Sequence, residues 1–85
     1  MITVKLYAVL KDMLGRDELM LDLDNGTVGQ ILGLIAREYP SASEFISSGR
    51  ILVAVNKEFA KQDQQVSSGD EIALMPPFSG GAGLT

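Results

Sequence analysis

Apolar and polar residues change rhythm along this chain in a way that separates strands from helices. Ile2, Val4 and Leu6 alternate with Thr3, Lys5 and Tyr7, the period of a strand with one face in a core. Leu10-Lys11-Asp12-Met13-Leu14-Gly15 predicts a short helical turn closed by glycine. Leu19, Leu21 and Leu23 then alternate with Met20, Asp22 and Asp24, which gives a second strand to pair with the first. Asp24-Asn25-Gly26 has turn chemistry, because Asn and Gly both tolerate positive φ.

The rhythm then lengthens. Thr27 and Gln30 are spaced as a capping box, in which the Thr hydroxyl and the Gln side chain satisfy free amides at a helix start. Val28, Ile31, Leu32, Ile35 and Tyr39 recur at spacings of three and four, forming one apolar stripe, and Pro40 disfavours helical angles at the residue before it. Gly29 and Gly33 each cost this helix about 1 kcal/mol relative to Ala, so it leans on tertiary packing, and close approach to a sheet would account for both. Ser41 to Ser48 predicts a second short helical piece with Phe45 and Ile46 turned inward and Gly49 ending it.

Arg50-Ile51-Leu52-Val53-Ala54-Val55 is the most apolar run and reads as a central strand before an Asn56-Lys57 turn. Residues 56–71 are polar apart from Phe59, Ala60 and Val66; Ser68-Gly69-Asp70 turns the chain into a last strand, Glu71-Ile72-Ala73-Leu74-Met75. The order β-β-α-β-(β)-β with one good helix predicts an α+β domain, a mixed sheet wrapped around one main helix with short helical turns. That arrangement is the ubiquitin-like β-grasp fold. If Ile2, Val4, Leu6, Ile51, Val53, Val55, Ile72 and Leu74 face the helix, then Thr3, Lys5, Tyr7, Leu52, Ala54, Ala73 and Met75 fall on the opposite face. Tyr7, Leu52 and Met75 are then exposed there, Phe59 is placed to join them, and such a patch beside a chain end is a candidate docking site.

Composition narrows the chemistry. At 85 residues the chain has room for one domain and buries about 60–65% of its unfolded surface. Nearly all aliphatic side chains fall in residues 1–75, so the folded domain is expected to stop at Met75, with residues 76–85 a flexible tail. With no Cys and no His there is no disulfide framework, thiolate nucleophile, Cys/His metal site or imidazole base. A protein so equipped takes part in a reaction as something acted upon. The net charge of −4, with seven scattered Lys and Arg, gives no basic stripe for nucleic acid. No apolar stretch is long enough to span a bilayer, and the opening Met1-Ile2-Thr3-Val4-Lys5 lacks the order of a signal peptide, so a cytoplasmic location is expected.

The end of the chain is its most informative part: Met75-Pro76-Pro77-Phe78-Ser79-Gly80-Gly81, followed by Ala82-Gly83-Leu84-Thr85. Two glycines in succession can lie extended through a slot too narrow for any Cβ. With Ala54-Val55-Asn56 and Gly69-Asp70-Glu71-Ile72-Ala73, this ending resembles that of the small-subunit family of molybdopterin synthase, the sulfur carriers of molybdenum cofactor biosynthesis. The resemblance runs from Met1 to Gly81. It implies that the Gly81 carboxylate, with Gly80 before it, is adenylated by a ubiquitin-activating-type adenylyltransferase and converted to a thiocarboxylate. The AMP adduct and the thiocarboxylate are transient, and no cofactor or metal is bound. It further implies that the tail enters the synthase large subunit, which moves the sulfur to precursor Z to make molybdopterin. Tyr7, Phe59, Met75 and Phe78 then correspond to the partner-binding surface, and Lys11 to a basic residue that meets the activating enzyme.

One departure from the family matters. Its members normally end at the second glycine, whereas here the Gly81 carboxyl is in a peptide bond to Ala82 and cannot be adenylated as a carboxylate. Either a protease removes Ala82 to Thr85, or those residues are foreign to the native chain, or the tail is used differently. Sulfur carriers for thiamine or tRNA thiolation, ubiquitin-like protein modifiers and plain β-grasp interaction modules share the fold and stay open as alternatives.

Overall fold

Two strands from opposite ends of the chain lie side by side in parallel: β1 (Ile2–Leu6) and β7 (Glu71–Met75), with Val4 opposite Ile72 and Leu6 opposite Leu74. The computed structural model describes residues 1–76. Around that pair the chain adds β2 (Glu18–Leu21) antiparallel to β1, β4 (Leu52–Val55) antiparallel to β7, and β5 (Glu58–Phe59) at the far edge, in the order β2-β1-β7-β4-β5. The central strand is therefore β7. The run from Arg50 to Val55 supplies an interior strand shorter than expected, one step off-centre, because β7 alone joins the β1/β2 hairpin to the β4/β5 hairpin.

The main helix, α2 (Val28–Glu38), lies on one face of the sheet. Its stripe of Val28, Ile31, Leu32 and Ile35 is buried in one cluster with Ile2, Val4, Leu6, Val53, Val55, Ile72 and Leu74, the inward set that alternation predicts. Ile51 and Tyr39 are half-buried at its margin. A short helix, α1 (Val9–Leu14), follows β1 and ends at Gly15 in the left-handed region. Another, α3 (Pro40–Ser47), opens on Pro40, buries Ala42 and leaves Phe45 and Ile46 half-buried against the core. Gly49, at φ 74, takes the chain from α3 toward β4.

Two local expectations fail for physical reasons. Asn25 and Gly26 do not form a positive-φ turn; with Thr27 they make β3 (Asn25–Thr27), paired antiparallel with β6 (Gln65–Ser67). Gly26 faces Val66, the buried residue in an otherwise polar stretch, and that burial holds the small second sheet in place. The glycines of α2 are also not explained by a sheet. The N–H groups of Val28 and Gly29 donate to the carbonyls of Gln64 and Gln62, both at 2.9 Å. A Cβ on Gly29 would reach the Gln62 carbonyl at 3.4 Å, ordinary contact, and one on Gly33 would meet nothing within 4 Å. The capping box itself forms as expected: Gln30 N–H donates to Thr27 Oγ1 at 3.1 Å and Thr27 N–H to Gln30 Oε1 at 2.8 Å. All the amides of the first turn thus have partners, which anchors the helix despite its glycines.

Because Gly33 is an exposed, unobstructed position in mid-helix, Gly33→Ala should stabilise the domain by about 0.5–1 kcal/mol. Chemical denaturation checks this; an unchanged or lower midpoint would show that Gly33 has a packing role.

Candidate functional site

The face of the sheet away from α2 carries a row of side chains fixed by strand register. Lys5, Ala73, Ala54 and Phe59 stand side by side across β1, β7, β4 and β5. Two alanines in the middle of such a row leave a trough, because their neighbours are much taller. The resulting groove has a volume of about 290 Å³ and is lined by Tyr7, Ala54, Lys57, Phe59, Glu71, Ala73 and Met75. Phe59 is 71% exposed and Tyr7 45%, so two aromatic rings remain in water on its walls. Aromatic walls over an apolar floor form a surface that gains by being covered.

Backbone geometry holds both ends of the groove. At one end the Tyr7 N–H continues the β1–β7 ladder by donating to the Leu74 carbonyl at 3.2 Å, and the Leu10 N–H closes a tight turn on the Tyr7 carbonyl at 3.2 Å. Ala8 in that turn has φ 55 and ψ −130, a conformation that favours glycine. At the other end Asn56 and Lys57, at φ 53 and 71, form the hairpin turn between β4 and β5. Ala8, Asn56 and Lys57 are the non-glycine residues at positive φ among the described residues; Lys57 lines the groove, and Ala8 and Asn56 are chain neighbours of the lining residues Tyr7 and Lys57. Positive φ at Asn56 and Lys57 is the ordinary geometry of a two-residue hairpin turn, whereas Ala8 holds backbone strain on the order of 1–3 kcal/mol.

The hairpin end is clasped by hydrogen bonds that account for the motif residues Asn56, Asp70 and Glu71. Asn56 Oδ1 accepts from the Glu71 N–H at 2.9 Å, Asn56 N–H donates to the Glu71 carbonyl at 2.7 Å, and Asn56 Nδ2 donates to Asp70 Oδ1 at 3.2 Å. Asp70 Oδ2 in turn accepts from the Ser67 N–H at 2.8 Å. The Ser67 amide, and after it the Asn56 amide, stabilise the ionised carboxylate and hold the Asp70 pKa below its ordinary value. The clasp sets the start of β7 against the hairpin, placing Glu71 and Lys57 together at the groove's polar end.

The structure thus brings together Tyr7, Phe59 and Met75, as expected. Lys11 is not among them; exposed on α1, it lines an adjoining polar depression with Tyr7, Ala8 and Asp17. Leu52 also falls outside the groove, half-buried and bordering a separate hollow with Leu32 and Ile46. Gly80, Gly81 and Phe78 lie outside the described residues. Glu71 and Lys57 line the groove in addition to the expected residues. Period-two counting from Met75 through Ala73 reaches Glu71 on the same face, whereas nothing in the sequence signals that Lys57 faces the trough. Among the described residues no cluster of His, Cys, Asp or Glu is arranged to hold a metal, and no helix is long and apolar enough to cross a membrane.

A ubiquitin-like β-grasp domain whose last strand forms a wall of its exposed groove and is followed in sequence by a Gly80-Gly81 pair has the features of a class of small carrier and modifier proteins. Residues 4–81 match the ThiS family model, and the chain belongs to the ThiS family. It is 35% identical over 82 residues to the molybdopterin synthase sulfur carrier subunit of Dictyostelium discoideum, covering 92% of this chain and 93% of that protein. The molybdopterin synthase sulfur carrier subunit of Escherichia coli (strain K12) is 30% identical over 81 residues, covering 95% of this chain and all of the relative (100%). The crystal structure of SAMP1 from Haloferax volcanii superposes with a TM-score of 0.72 at 30% identity, covering 88% of this chain and 92% of that one.

The Asp70 clasp gives a pH test. Its folded pKa is depressed, so its stabilisation is fully present above the unfolded value of about 4 and is lost as pH falls through the lower folded value. Wild type should therefore melt higher than Asp70→Asn at neutral pH, and the two should converge as pH drops below about 4. A difference in thermal midpoint that stays constant across that range would contradict the clasp.

Proposed function

We propose that this chain is the sulfur carrier of molybdopterin synthase, delivering sulfur from a Gly81 thiocarboxylate for the conversion of precursor Z to molybdopterin. The observation that carries this reading is the family match, which runs through the last strand and the Gly80-Gly81 pair to residue 81. Four-fifths coverage or more by relatives named as that subunit supports it. A carboxylate is a poor acyl donor. When the Gly81 carboxylate attacks the α-phosphorus of ATP, pyrophosphate leaves and an acyl adenylate forms; sulfur at the sulfide level then attacks the acyl carbon, AMP leaves, and the thiocarboxylate remains. The chain brings no His or Cys to these steps, so it acts as a non-catalytic subunit, and the catalytic groups belong to a ubiquitin-activating-type adenylyltransferase and to the synthase large subunit. A cytoplasmic location would supply the ATP that the cycle needs.

In this reading residues 1–75 are the docking body and 76–85 the arm. Tyr7, Phe59 and Met75 seat the partner on the groove, Phe78 extends that contact along the arm, and Lys11 meets the activating enzyme beside Tyr7. Phe59→Asp should weaken binding to the large subunit by about 2 kcal/mol or more, as for a desolvated anchor, with little change in melting. Calorimetry against the large subunit checks this; equal affinity would remove Phe59 from the interface.

The likeness at 30% identity to SAMP1, a small archaeal modifier protein by name, favours one second reading, a protein modifier. The same Gly81 adenylate would then be attacked by a lysine amine, giving an isopeptide bond instead of a thiocarboxylate.

Either chemistry needs a free carboxylate at Gly81. Removing Ala82 to Thr85 touches none of the described elements, the last of which ends at Met75. Incubated with the activating enzyme, ATP and a sulfur donor, a chain ending at Gly81 should exchange one oxygen for sulfur by mass spectrometry, and the 85-residue chain should not. Gly81→Ala in the shorter chain should slow the exchange about a hundredfold, since misplacement of about 1 Å has that effect. Sulfur on the full-length chain with Ala82 to Thr85 still attached would overturn the mechanism, and lysine conjugates without thiocarboxylate would favour the modifier.

A further inference from the structure

Asn25-Gly26 takes no part in the groove or in the carrier chemistry, yet it is a chemically reactive pair. The glycine nitrogen has no side chain beside it, so it can approach the asparagine Cγ and close a five-membered ring. Helix capping explains why glycine stands there. A Cβ on Gly26 would lie 3.1 Å from Gln30 Oε1, the atom that accepts the Thr27 N–H at 2.8 Å in the capping box. The cap of α2 therefore favours glycine after Asn25, and the reactive pair is a consequence of the cap.

The same neighbourhood holds the pair shut. The Ser68 N–H donates to the Asp24 carbonyl at 2.8 Å and the Val28 N–H to the Gln64 carbonyl at 2.9 Å. Hydrogen-bonded pairs recur every two residues along an antiparallel ladder, so Gly26 and Val66, in register midway between those bonds, form such a pair. The Gly26 N–H, which must be free to attack, is thereby committed to the Val66 carbonyl. The extended strand also holds the Asn25 backbone away from the angles that ring closure needs. This protection is local. β3 and β6 are each three residues long, and the ladder rests on one fully buried side chain, Val66, so it opens more readily than the five-stranded sheet.

We propose that Asn25 is a site of spontaneous deamidation whose rate is set by opening of the β3–β6 ladder. In the open state the Gly26 nitrogen gives its proton to solvent hydroxide and attacks Asn25 Cγ. The bond from Cγ to the side-chain nitrogen breaks, and ammonia leaves with a proton from water. Water then adds to either carbonyl of the succinimide and one ring C–N bond breaks. The product is aspartate, or isoaspartate in which the main chain runs through Cγ and gains a methylene. Each product adds a negative charge beside Asp22 and Asp24. The extra methylene cannot keep Asn25 opposite Ser67 and Gly26 opposite Val66 together, so the isoaspartyl chain loses β3 and weakens the cap at Thr27. Asn56, the other asparagine of the chain, is guarded separately: its Oδ1 accepts from the Glu71 N–H, its Nδ2 donates to Asp70, and Lys57 follows it with a side chain.

The test is peptide mapping by mass spectrometry of the 85-residue chain aged at mildly alkaline pH, beside a free peptide of residues 22–28, with isoaspartate read by enzymatic methylation of its carboxyl. Conversion at Asn25 should be about a hundredfold slower in the folded chain than in the peptide, and Val66→Ala, which leaves Asn25-Gly26 intact, should speed it about tenfold. Asn56 should stay unconverted in both chains. Should Val66→Ala fail to fold, hydrogen exchange at the Gly26 N–H of wild type decides: the ratio of chain to peptide conversion should equal the open fraction that exchange reports. The purified isoaspartyl chain should melt below its parent. Conversion of folded wild type at the peptide rate, equal rates in wild type and folded Val66→Ala, or a ratio that departs from the open fraction would overturn the gate. An isoaspartyl chain that melts with its parent would contradict the loss of β3.

Discussion

The parallel pairing of β1 with β7 is the contact on which everything else rests. It joins Thr3 to Glu71 and Leu6 to Leu74, residues almost the whole domain apart in sequence, and so closes the longest loop in the fold. Parallel strands cannot be joined by a tight turn, and here the intervening chain, helices included, serves as the crossover. Burial of Ile2, Val4, Leu6, Ile72 and Leu74 against α2 offsets that closure entropy. Because the two strands run the same way, Tyr7 and Met75 emerge at one end of the sheet together, beside the start of the tail.

The same pleat that feeds the core makes the site. Each inward residue of β7 alternates with an outward one, so Ile72 and Leu74 fix Glu71, Ala73 and Met75 on the opposite face with no further instruction. The floor of the groove is therefore fixed by the same strands that build the core. The less regular parts of the groove are its two ends, where Ala8, Asn56 and Lys57 take positive φ and the Asn56–Asp70–Glu71 clasp holds the hairpin against β7.

Those features differ in how far the sequence reveals them. The capping box of Thr27 and Gln30, the stripe from Val28 to Ile35 and the inward faces of β1, β4 and β7 were legible because each depends on local period or spacing. Asn25-Gly26 misled because a turn dipeptide also tolerates extended angles, and the deciding partner, Val66, lies far along the chain. The support of Gly29 by the Gln62 carbonyl was invisible for the same reason. Tyr7, Phe59 and Met75 could be picked out as apolar residues on a polar face. Lys57 could not, because only the hairpin geometry shows that a turn lysine borders the trough.

The central claim is that this body exists to present Gly81 as a sulfur donor. It is tested most directly by the intact mass of the chain recovered from its native cell while molybdopterin is being made. The account predicts a species ending at Gly81 with one carboxylate oxygen replaced by sulfur. A population consisting solely of chains that retain Ala82 to Thr85, with no sulfur added, would contradict it.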